Sequence, residues 1–203
     1  MADNPLIAIL RGLNADNAVD VADVLVDAGF RFIEVPLNSP DPLASIEAIS
    51  NKHGDHAVVG AGTVMKQQDV TSVVNAGGRI IVSPNLNPQV GQRAVELGAR
   101  WCPGVFTPTE AFEGLRLGAS VLKFFPAELI SPKAVSAMRA VLPREAVVAA
   151  VGGITPASMV DYLNAGADTV GLGSALFKPD YSLKEVQARA NSFVTAYRSH
   201  ASI

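Results

Sequence analysis

The sequence predicts an α/β fold, a (β/α)8 (TIM) barrel, from two observations. Eight strand-sized apolar runs alternate with amphipathic helical stretches, and no linker-like or charge-rich segment interrupts them. The runs are nearly continuously apolar, which is typical of parallel strands covered by helices. We therefore expect one domain over residues 1–203, at the short end of the size range of this fold. An open, doubly wound sheet is the alternative, because alternation alone does not show that a sheet closes.

The eight strands are expected near residues 5–10, 31–36, 57–62, 79–83, 99–103, 119–125, 146–151 and 168–172. Asn14 is a predicted N-cap of the first helix, and Gly29 follows the end of that helix. Thr107 and Thr155 each precede a proline, which places a capping hydroxyl beside a residue suited to the first helical position.

Further glycines, Gly98, Gly118 and Gly166, lie where helices should end. The last helix, near 182–199, places Val186, Phe193, Val194 and Tyr197 on one face. These signals fit the alternation of strands and helices along the whole chain.

Composition excludes several classes of protein. Hydrophobic residues make up 49% and charged residues 17% of the chain, which favours a large core over disorder. A net charge of −3 with dispersed basic residues gives no stripe for nucleic acid. The apolar runs are too short to span a membrane, and the N-terminus has no signal-peptide pattern. Cys102 is the only cysteine, so we expect no intrachain disulfide and a cytoplasmic location.

Lys123 lies in the apolar run Val121–Pro126, which predicts a buried strand with one ionisable group. A buried ammonium needs a partner or loses its proton, and the neutral amine attacks carbonyl groups. The run therefore suggests a Schiff-base lysine. The alternative is a lysine whose stem packs on apolar neighbours while its head reaches water.

Other polar residues fall near the C-terminal ends of predicted strands, where barrel enzymes place their sites. Arg11 follows the first strand, Glu34 lies near the end of the second and Thr63 follows the third. Glu34 is a single carboxylate in an apolar strand, as Lys123 is a single amine, so we expect the two to meet and satisfy one another's burial. Such a pair supplies an acid/base group, although a purely structural ion pair is the alternative.

Two glycine-containing loops predict an anion site. Gly152 and Gly153 follow the seventh strand ahead of a helix N-terminus, and Gly173 and Ser174 follow the eighth. Phosphate in barrels is often bound by the loops after these two strands.

Other motifs are weaker. Gly60-Ala-Gly62-Thr63 begins like a dinucleotide fingerprint, but Met65 replaces its third glycine, so we interpret it as close backbone packing. No histidine follows a strand and no cluster has metal-ligand spacing, so we expect no metal and no cofactor. We interpret Cys102 as core.

In order along the chain, seven motifs resemble the 2-keto-3-deoxy-6-phosphogluconate and -galactonate aldolases. They are Ile7-Ala-Ile-Leu-Arg-Gly12, Glu34-Val-Pro-Leu-Asn38, Val59-Gly-Ala-Gly-Thr-Val64, Val82-Ser-Pro-Asn85, Cys102-Pro-Gly104, Leu122-Lys-Phe-Phe-Pro126 and Val151-Gly-Gly153. The resemblance implies a class I aldolase on a (β/α)8 barrel, commonly a homotrimer. It also implies pyruvate and D-glyceraldehyde 3-phosphate as the products of a phosphorylated sugar acid.

The resemblance further implies a role for each site residue. Lys123 would form the Schiff base, and Glu34 would move protons at C4 and C3. The substrate-binding residues would be Arg11 and Thr63 at the carboxylate, Pro84 and Phe125 at the walls, and Gly152, Gly153, Gly173 and Ser174 at the phosphate.

Two departures bear on the sugar. Gluconate-type members carry arginine in place of Asn38 and threonine in place of Val151, and both residues here resemble the galactonate type. The resemblance thus implies 2-dehydro-3-deoxy-6-phosphogalactonate as substrate, with the gluconate epimer as the alternative. Two other classes remain open from the residues alone: a phosphosugar isomerase and a non-catalytic phosphate-binding barrel.

Overall fold

The computed structural model describes residues 5–201, which contain nine parallel strand segments and eight α-helices. The strands are β1 (Ile7–Ile9), β2 (Phe32–Pro36), β3 (Val58–Gly62), β4 (Ile80–Val82), β5 (Arg100–Cys102), β6 (Gly104–Val105), β7 (Leu122–Phe124), β8 (Val148–Val151) and β9 (Thr169–Leu172). The helices are α1 (Ala18–Asp27), α2 (Pro42–His53), α3 (Gln67–Asn75), α4 (Pro88–Glu96), α5 (Pro108–Arg116), α6 (Pro132–Arg139), α7 (Pro156–Asn164) and α8 (Leu183–Ala201). Two short 3-10 helices, Ala15–Asn17 and Ala127–Leu129, complete the described elements.

The strand order shows that the sheet closes. It runs β5-β4-β3-β2-β1-β9-β8-β7-β6, and the two end segments are separated in the chain only by Pro103, which has no N–H for the ladder. The carbonyls of Trp101 and Pro103 accept hydrogen bonds from Ser120 and Lys123 at 2.8 and 3.0 Å. The two segments therefore form the fifth strand of an eight-stranded ring. The predicted (β/α)8 barrel is confirmed, and the open sheet is excluded.

Each predicted strand contains an observed one, but the observed strands are shorter. The run 119–125, for example, contributes only Leu122–Phe124 to the regular ladder. Asn14 accepts a hydrogen bond from the Asp16 N–H at 3.3 Å, so it caps the 3-10 helix before α1 and not α1 itself.

The remaining helix signals are confirmed. Thr107 forms a capping box with Glu110, and Thr155 forms one with Ser158. These caps supply partners for N–H groups that the first turn of a helix leaves unpaired. The helix-ending glycines have positive φ: Gly29 at 104°, Gly98 at 70°, Gly118 at 88° and Gly166 at 99°.

Side chains on successive strand positions point alternately to the helices and to the inside of the barrel. The outward side chains form the large core between strands and helices. The inward ones form two small apolar groups, one around Ile7, Ile9, Ala149 and Val151 and one around Ile80, Val82 and Cys102. Between them lie the ionisable side chains of Glu34 and Lys123, so the barrel interior contains the candidate catalytic groups. None of the described helices has both the length and the apolar character needed to cross a membrane.

Candidate active site

The period of two along each strand brings the candidate residues together inside the barrel. Glu34 pairs in register with Gly60 on β3, and Lys123 pairs with Ala149 on β8. Although they lie on separated strands, both side chains line one small internal cavity, together with Cys102 and Val151. The closed ring therefore gathers residues that are distant in the sequence.

Lys123 is buried, with 7% of its surface exposed. Its Nζ donates a hydrogen bond to the Ser83 carbonyl at 3.2 Å and lies 4.5 Å from the centre of the Phe125 ring. Burial lowers the pKa of Lys123, while the charge of Glu34 opposes this shift and that of Arg11 adds to it. A lowered pKa increases the share of neutral amine at physiological pH, which is the nucleophilic form.

Glu34 is still more buried, at 3% exposure. Its Oε2 atom has no hydrogen-bond partner among the described residues. Burial raises the pKa of this carboxyl group, against the opposing charges of Lys123 and Arg11. A buried acid with a raised pKa keeps its proton to higher pH than an exposed carboxyl group, which makes it a better proton donor and acceptor for catalysis. A buried oxygen without a partner is also costly, which is typical of groups kept for function.

Glycine at position 62 makes room for this carboxylate. A Cβ atom at Gly62 would lie 2.7 Å from Oε1 of Glu34, closer than non-bonded atoms approach. The neighbouring Gly60 packs directly against the Ile80 carbonyl. The interpretation of Gly60 and Gly62 as close-packing glycines is confirmed.

One expectation about the charged pair requires correction. Glu34 and Lys123 were expected to satisfy one another's burial, but no ion pair within 4.0 Å joins them in the part of the chain that the structure describes. The Lys123 ammonium reaches the Ser83 carbonyl instead, and Oε2 of Glu34 stays unpaired. The two groups influence each other through space, which argues against a purely structural ion pair.

Arg11 lies at the mouth, in the turn after β1, and its side chain is exposed. Its Nη1 donates to Oδ1 of Asn38 at 2.6 Å, and its Nη2 donates to Oγ1 of Thr63 at 3.5 Å. Thr63 has a φ of 57°, an unusual backbone conformation for a β-branched residue. Strain of this kind often marks a functional site. The three side chains form a polar group over the open end of the barrel.

The glycine loops after β8 and β9 expose backbone. Gly152 and Gly153 have φ of 115° and 65°, and no atom lies within 4 Å of a Cβ placed at Gly173. Within residues 5–201, the N–H groups of these glycines and of Ser174 make no hydrogen bond, so they are free to meet an anion. The exposed carboxylate of Glu128 lies beside Gly153, where a Cβ would be 2.7 Å from its Oε2.

The other predicted site residues also lie at or near the interior. Val151 faces inward, with its Cγ2 atom 2.8 Å from the position of a Cβ at Gly171. Phe125 and Pro84 are partly buried next to Lys123 and after β4. The carbonyl of Pro84 packs against Gly104, which leaves no room for a side chain there.

Four residues of this region were missed as site residues: Asn38, Gly62, Ser83 and Glu128. Ser83 acts through its backbone carbonyl, for which side-chain chemistry gives no signal. Gly62 and Asn38 belong to motifs noted above, but their contacts depend on strands that meet only in the fold. No group of three or more His, Cys, Asp or Glu side chains in residues 5–201 could hold a metal ion. Burial, followed by the Glu34 charge, raises the pKa of Cys102 to about 12, so its thiol stays protonated.

This geometry defines a class of protein: a closed barrel with an amine and a carboxylate in its interior and open glycine loops at its mouth. Comparison with known families gives the particular one. The family model "KDPG and KHG aldolase" matches residues 1–191, and the chain belongs to this family. It is an aldolase, a carbon–carbon lyase.

Individual relatives refine the comparison. The chain is 44% identical over 194 residues to the 2-dehydro-3-deoxy-6-phosphogalactonate aldolase of Escherichia coli. This alignment covers 96% of this chain and 95% of the relative. It is 35% identical over 159 residues to the 2-dehydro-3-deoxy-phosphogluconate aldolase of Zymomonas mobilis, covering 78% and 76%. The solved native KDPGal structure superposes with a TM-score of 0.98 at 42% identity, covering 100% of this chain and 98% of that one.

Proposed function

We propose that the protein is a class I aldolase that cleaves 2-dehydro-3-deoxy-6-phosphogalactonate to pyruvate and D-glyceraldehyde 3-phosphate. The observation that carries the proposal is the buried Lys123, whose pKa burial lowers, in one cavity with the buried acid Glu34. The galactonate substrate is supported by the greater similarity to the E. coli relative of that name than to the gluconate aldolase. The isomerase and non-catalytic alternatives do not agree with the family.

The Lys123 amine attacks the C2 ketone. The hydroxyl group of the resulting carbinolamine then takes a proton from the Glu34 carboxyl group and leaves as water, which gives a protonated imine and the Glu34 carboxylate. The imine accepts the electron pair of the C3–C4 bond, so this bond breaks as Glu34 takes the C4 hydroxyl proton through a water molecule. The aldehyde leaves and an enamine of pyruvate remains on Lys123. Glu34 then returns the proton to C3, and hydrolysis of the protonated imine releases pyruvate, the free amine and a proton that goes back to Glu34.

In this proposal, two separate groups of residues at the barrel mouth bind the two anionic ends of the substrate. Arg11, with Thr63 beside it, binds the carboxylate, since a guanidinium group binds carboxylates with two parallel hydrogen bonds. The free N–H groups of Gly152, Gly153, Gly173 and Ser174 bind the phosphate. Glu128 turns outward on binding, which its exposed position allows. Pro84 and Phe125 are the walls of the pocket.

Trapping with borohydride tests the reaction class. Treatment with pyruvate and borohydride should inactivate the enzyme and leave a reduced pyruvate adduct on Lys123, seen by mass spectrometry of the peptides. Lys123→Arg is the control, because it keeps the charge and removes the nucleophile. An adduct on Lys66 or Lys133, or none at all, would contradict the proposal.

Kinetics on the two C4 epimers test the substrate. Val151 lines the cavity that contains Lys123 and offers a methyl group where threonine would offer a hydroxyl group. We expect kcat/KM to favour the galacto epimer, and Val151→Thr to move the ratio towards the gluco epimer by about 2- to 10-fold, the worth of one net hydrogen bond. A native preference for the gluco epimer, or an unchanged ratio in Val151→Thr, would refute the assignment.

We further propose that the enzyme is a cytoplasmic homotrimer. Five of the eight exposed large apolar side chains among the described residues fall in two separate sectors of the barrel: Leu43 and Met65 near β2 and β3, and Phe106, Phe112 and Leu129 near β6 and β7. The other three are Val95, Val141 and Leu183. A patch that contacts a different patch on the next copy generates a closed ring when the rotation permits. Light scattering should give three times the chain mass of 21.1 kDa, and the mass of a monomer would refute the trimer.

A further inference from the structure

The face of the Phe125 ring lies against the amine of Lys123, a contact that a residue serving only as a pocket wall would not need. Residues two apart on a strand point to the same side, so Lys123 and Phe125 both face the interior. The Nζ atom lies over the ring, 4.5 Å from its centre, well within the distance at which an aromatic face attracts a cation. Among the described residues, Nζ also donates a hydrogen bond to the Ser83 carbonyl at 3.2 Å.

We propose that Phe125 is a catalytic residue whose ring face stabilises the positive charge on the imine nitrogen formed at Lys123. The proposal deepens the proposed function and rests on it. It assigns to Phe125 a role in the chemistry of the cycle and not only in the shape of the pocket.

The nitrogen changes charge during the cycle, and the ring distinguishes the states. The amine, the carbinolamine and the enamine are neutral at nitrogen, whereas the ammonium and the protonated imine are cations. Loss of water from the carbinolamine creates the cation: its hydroxyl oxygen takes a proton from Glu34 and leaves with the electron pair of the C–O bond, and the nitrogen lone pair forms the C=N bond. The ammonium has three N–H groups for partners such as the Ser83 carbonyl, but the imine has one. The imine therefore depends more on the ring.

The charged groups around Nζ do not stabilise the imine cation in place of the Phe125 ring. Glu34 faces it from β2 without an ion pair within 4.0 Å, Cys102 faces it from β5 as a protonated thiol, and Arg11 adds repulsion from the turn after β1. A carboxylate in direct contact would also accept the imine proton and remove the electron sink. An aromatic face attracts the cation and has no basic atom to take that proton.

Graded fluorination of the ring tests the proposal with little change of its volume. Phe125 is replaced by 4-fluoro-, 3,4,5-trifluoro- and pentafluorophenylalanine, each weaker in its attraction for cations. The apparent Kd for pyruvate is measured by borohydride trapping across pH. Where the free amine is neutral, formation of the imine creates the charge, and the Kd should rise stepwise by about 2- to 30-fold in total. Where the free enzyme already carries an ammonium, both states contact the ring, and the rise should shrink.

Phe124 supplies the matched control. It is adjacent in the sequence but belongs to the outer core between strands and helices, so the same fluorinated residues there should leave the pH profile unchanged. Equal pyruvate affinity in all the Phe125 variants at every pH, or an equal loss at every pH, would overturn the role of the ring while leaving the aldolase intact. The absence of an adduct on Lys123 in the native enzyme would overturn the proposed function and this inference together.

Discussion

Replacement of Glu34 by glutamine separates the chemistry of this carboxylate from its part in the fold. The change keeps the shape of the side chain and removes its charge and its ability to take a proton. Because Glu34 is proposed to move the protons at C4 and C3, cleavage should slow by about 10²- to 10⁴-fold. The KM should change much less, since the carboxylate and phosphate of the substrate are bound elsewhere.

The structure also fixes the expected sign of the stability change. Burial raises the pKa of Glu34 despite Lys123 and Arg11, so the sum of its interactions in the fold disfavours the charged form. Its Oε2 atom lacks a hydrogen-bond partner among the described residues, a cost of about 1–3 kcal/mol for a buried group. The glutamine amide carries no charge, so its burial costs less than that of the carboxylate. We expect Glu34→Gln to be about 1 kcal/mol more stable near neutral pH, a rise in Tm of about 2–4 °C.

The pH dependence provides a second check. Below the ordinary pKa of 4.5 the carboxyl group is protonated in both folded and unfolded chains, so it contributes no difference. As the pH rises through the raised pKa of the folded state, the native enzyme loses stability that the glutamine variant keeps. In urea unfolding curves, the difference in unfolding free energy between the two proteins should therefore grow as the pH rises above 4.5 and become constant above the raised pKa.

Two results would refute this reasoning. A variant that is clearly less stable at neutral pH would show that the attraction of Lys123 and Arg11 for the carboxylate outweighs the cost of its burial. A variant with full cleavage activity would show that another group moves the protons.

Two further substitutions test the surroundings of the site. Gly62→Ala places a Cβ atom 2.7 Å from Oε1 of Glu34 and should displace the carboxylate. The rate of cleavage should therefore fall by about 10²-fold or more. The free energy of unfolding, measured in urea, should fall by about 1–3 kcal/mol. Native kcat in this variant would show that the carboxylate need not lie there. Thr63→Gly relieves the backbone strain at φ 57° and removes the hydroxyl group beside Arg11, so the fold should gain about 1 kcal/mol while KM rises about tenfold. A less stable Thr63→Gly protein would indicate that the strain is negligible.

The fold class and the main candidate residues could be predicted from the sequence. Alternating apolar runs and helical stretches predicted eight βα units, because a strand buried on both faces and an amphipathic helix leave different patterns in the chain. Lys123 and Glu34 stood out because a single charge in an apolar strand is costly and has few structural uses. The threonine N-caps and the helix-ending glycines could be predicted because their contacts involve backbone groups close to them in the sequence.

Contacts between residues on different strands could not be predicted from the sequence, because they depend on how the barrel folds. Closure of the ring rests on hydrogen bonds across Pro103, which no local pattern reports. The partner of Lys123 is a backbone carbonyl at Ser83, forty residues away, and the carboxylate of Glu34 lies where Gly62 has no side chain. Contacts of this kind depend on barrel geometry and on distances of a few tenths of an ångström. The sequence therefore indicates which groups carry the chemistry, and only the folded barrel determines which atoms they meet.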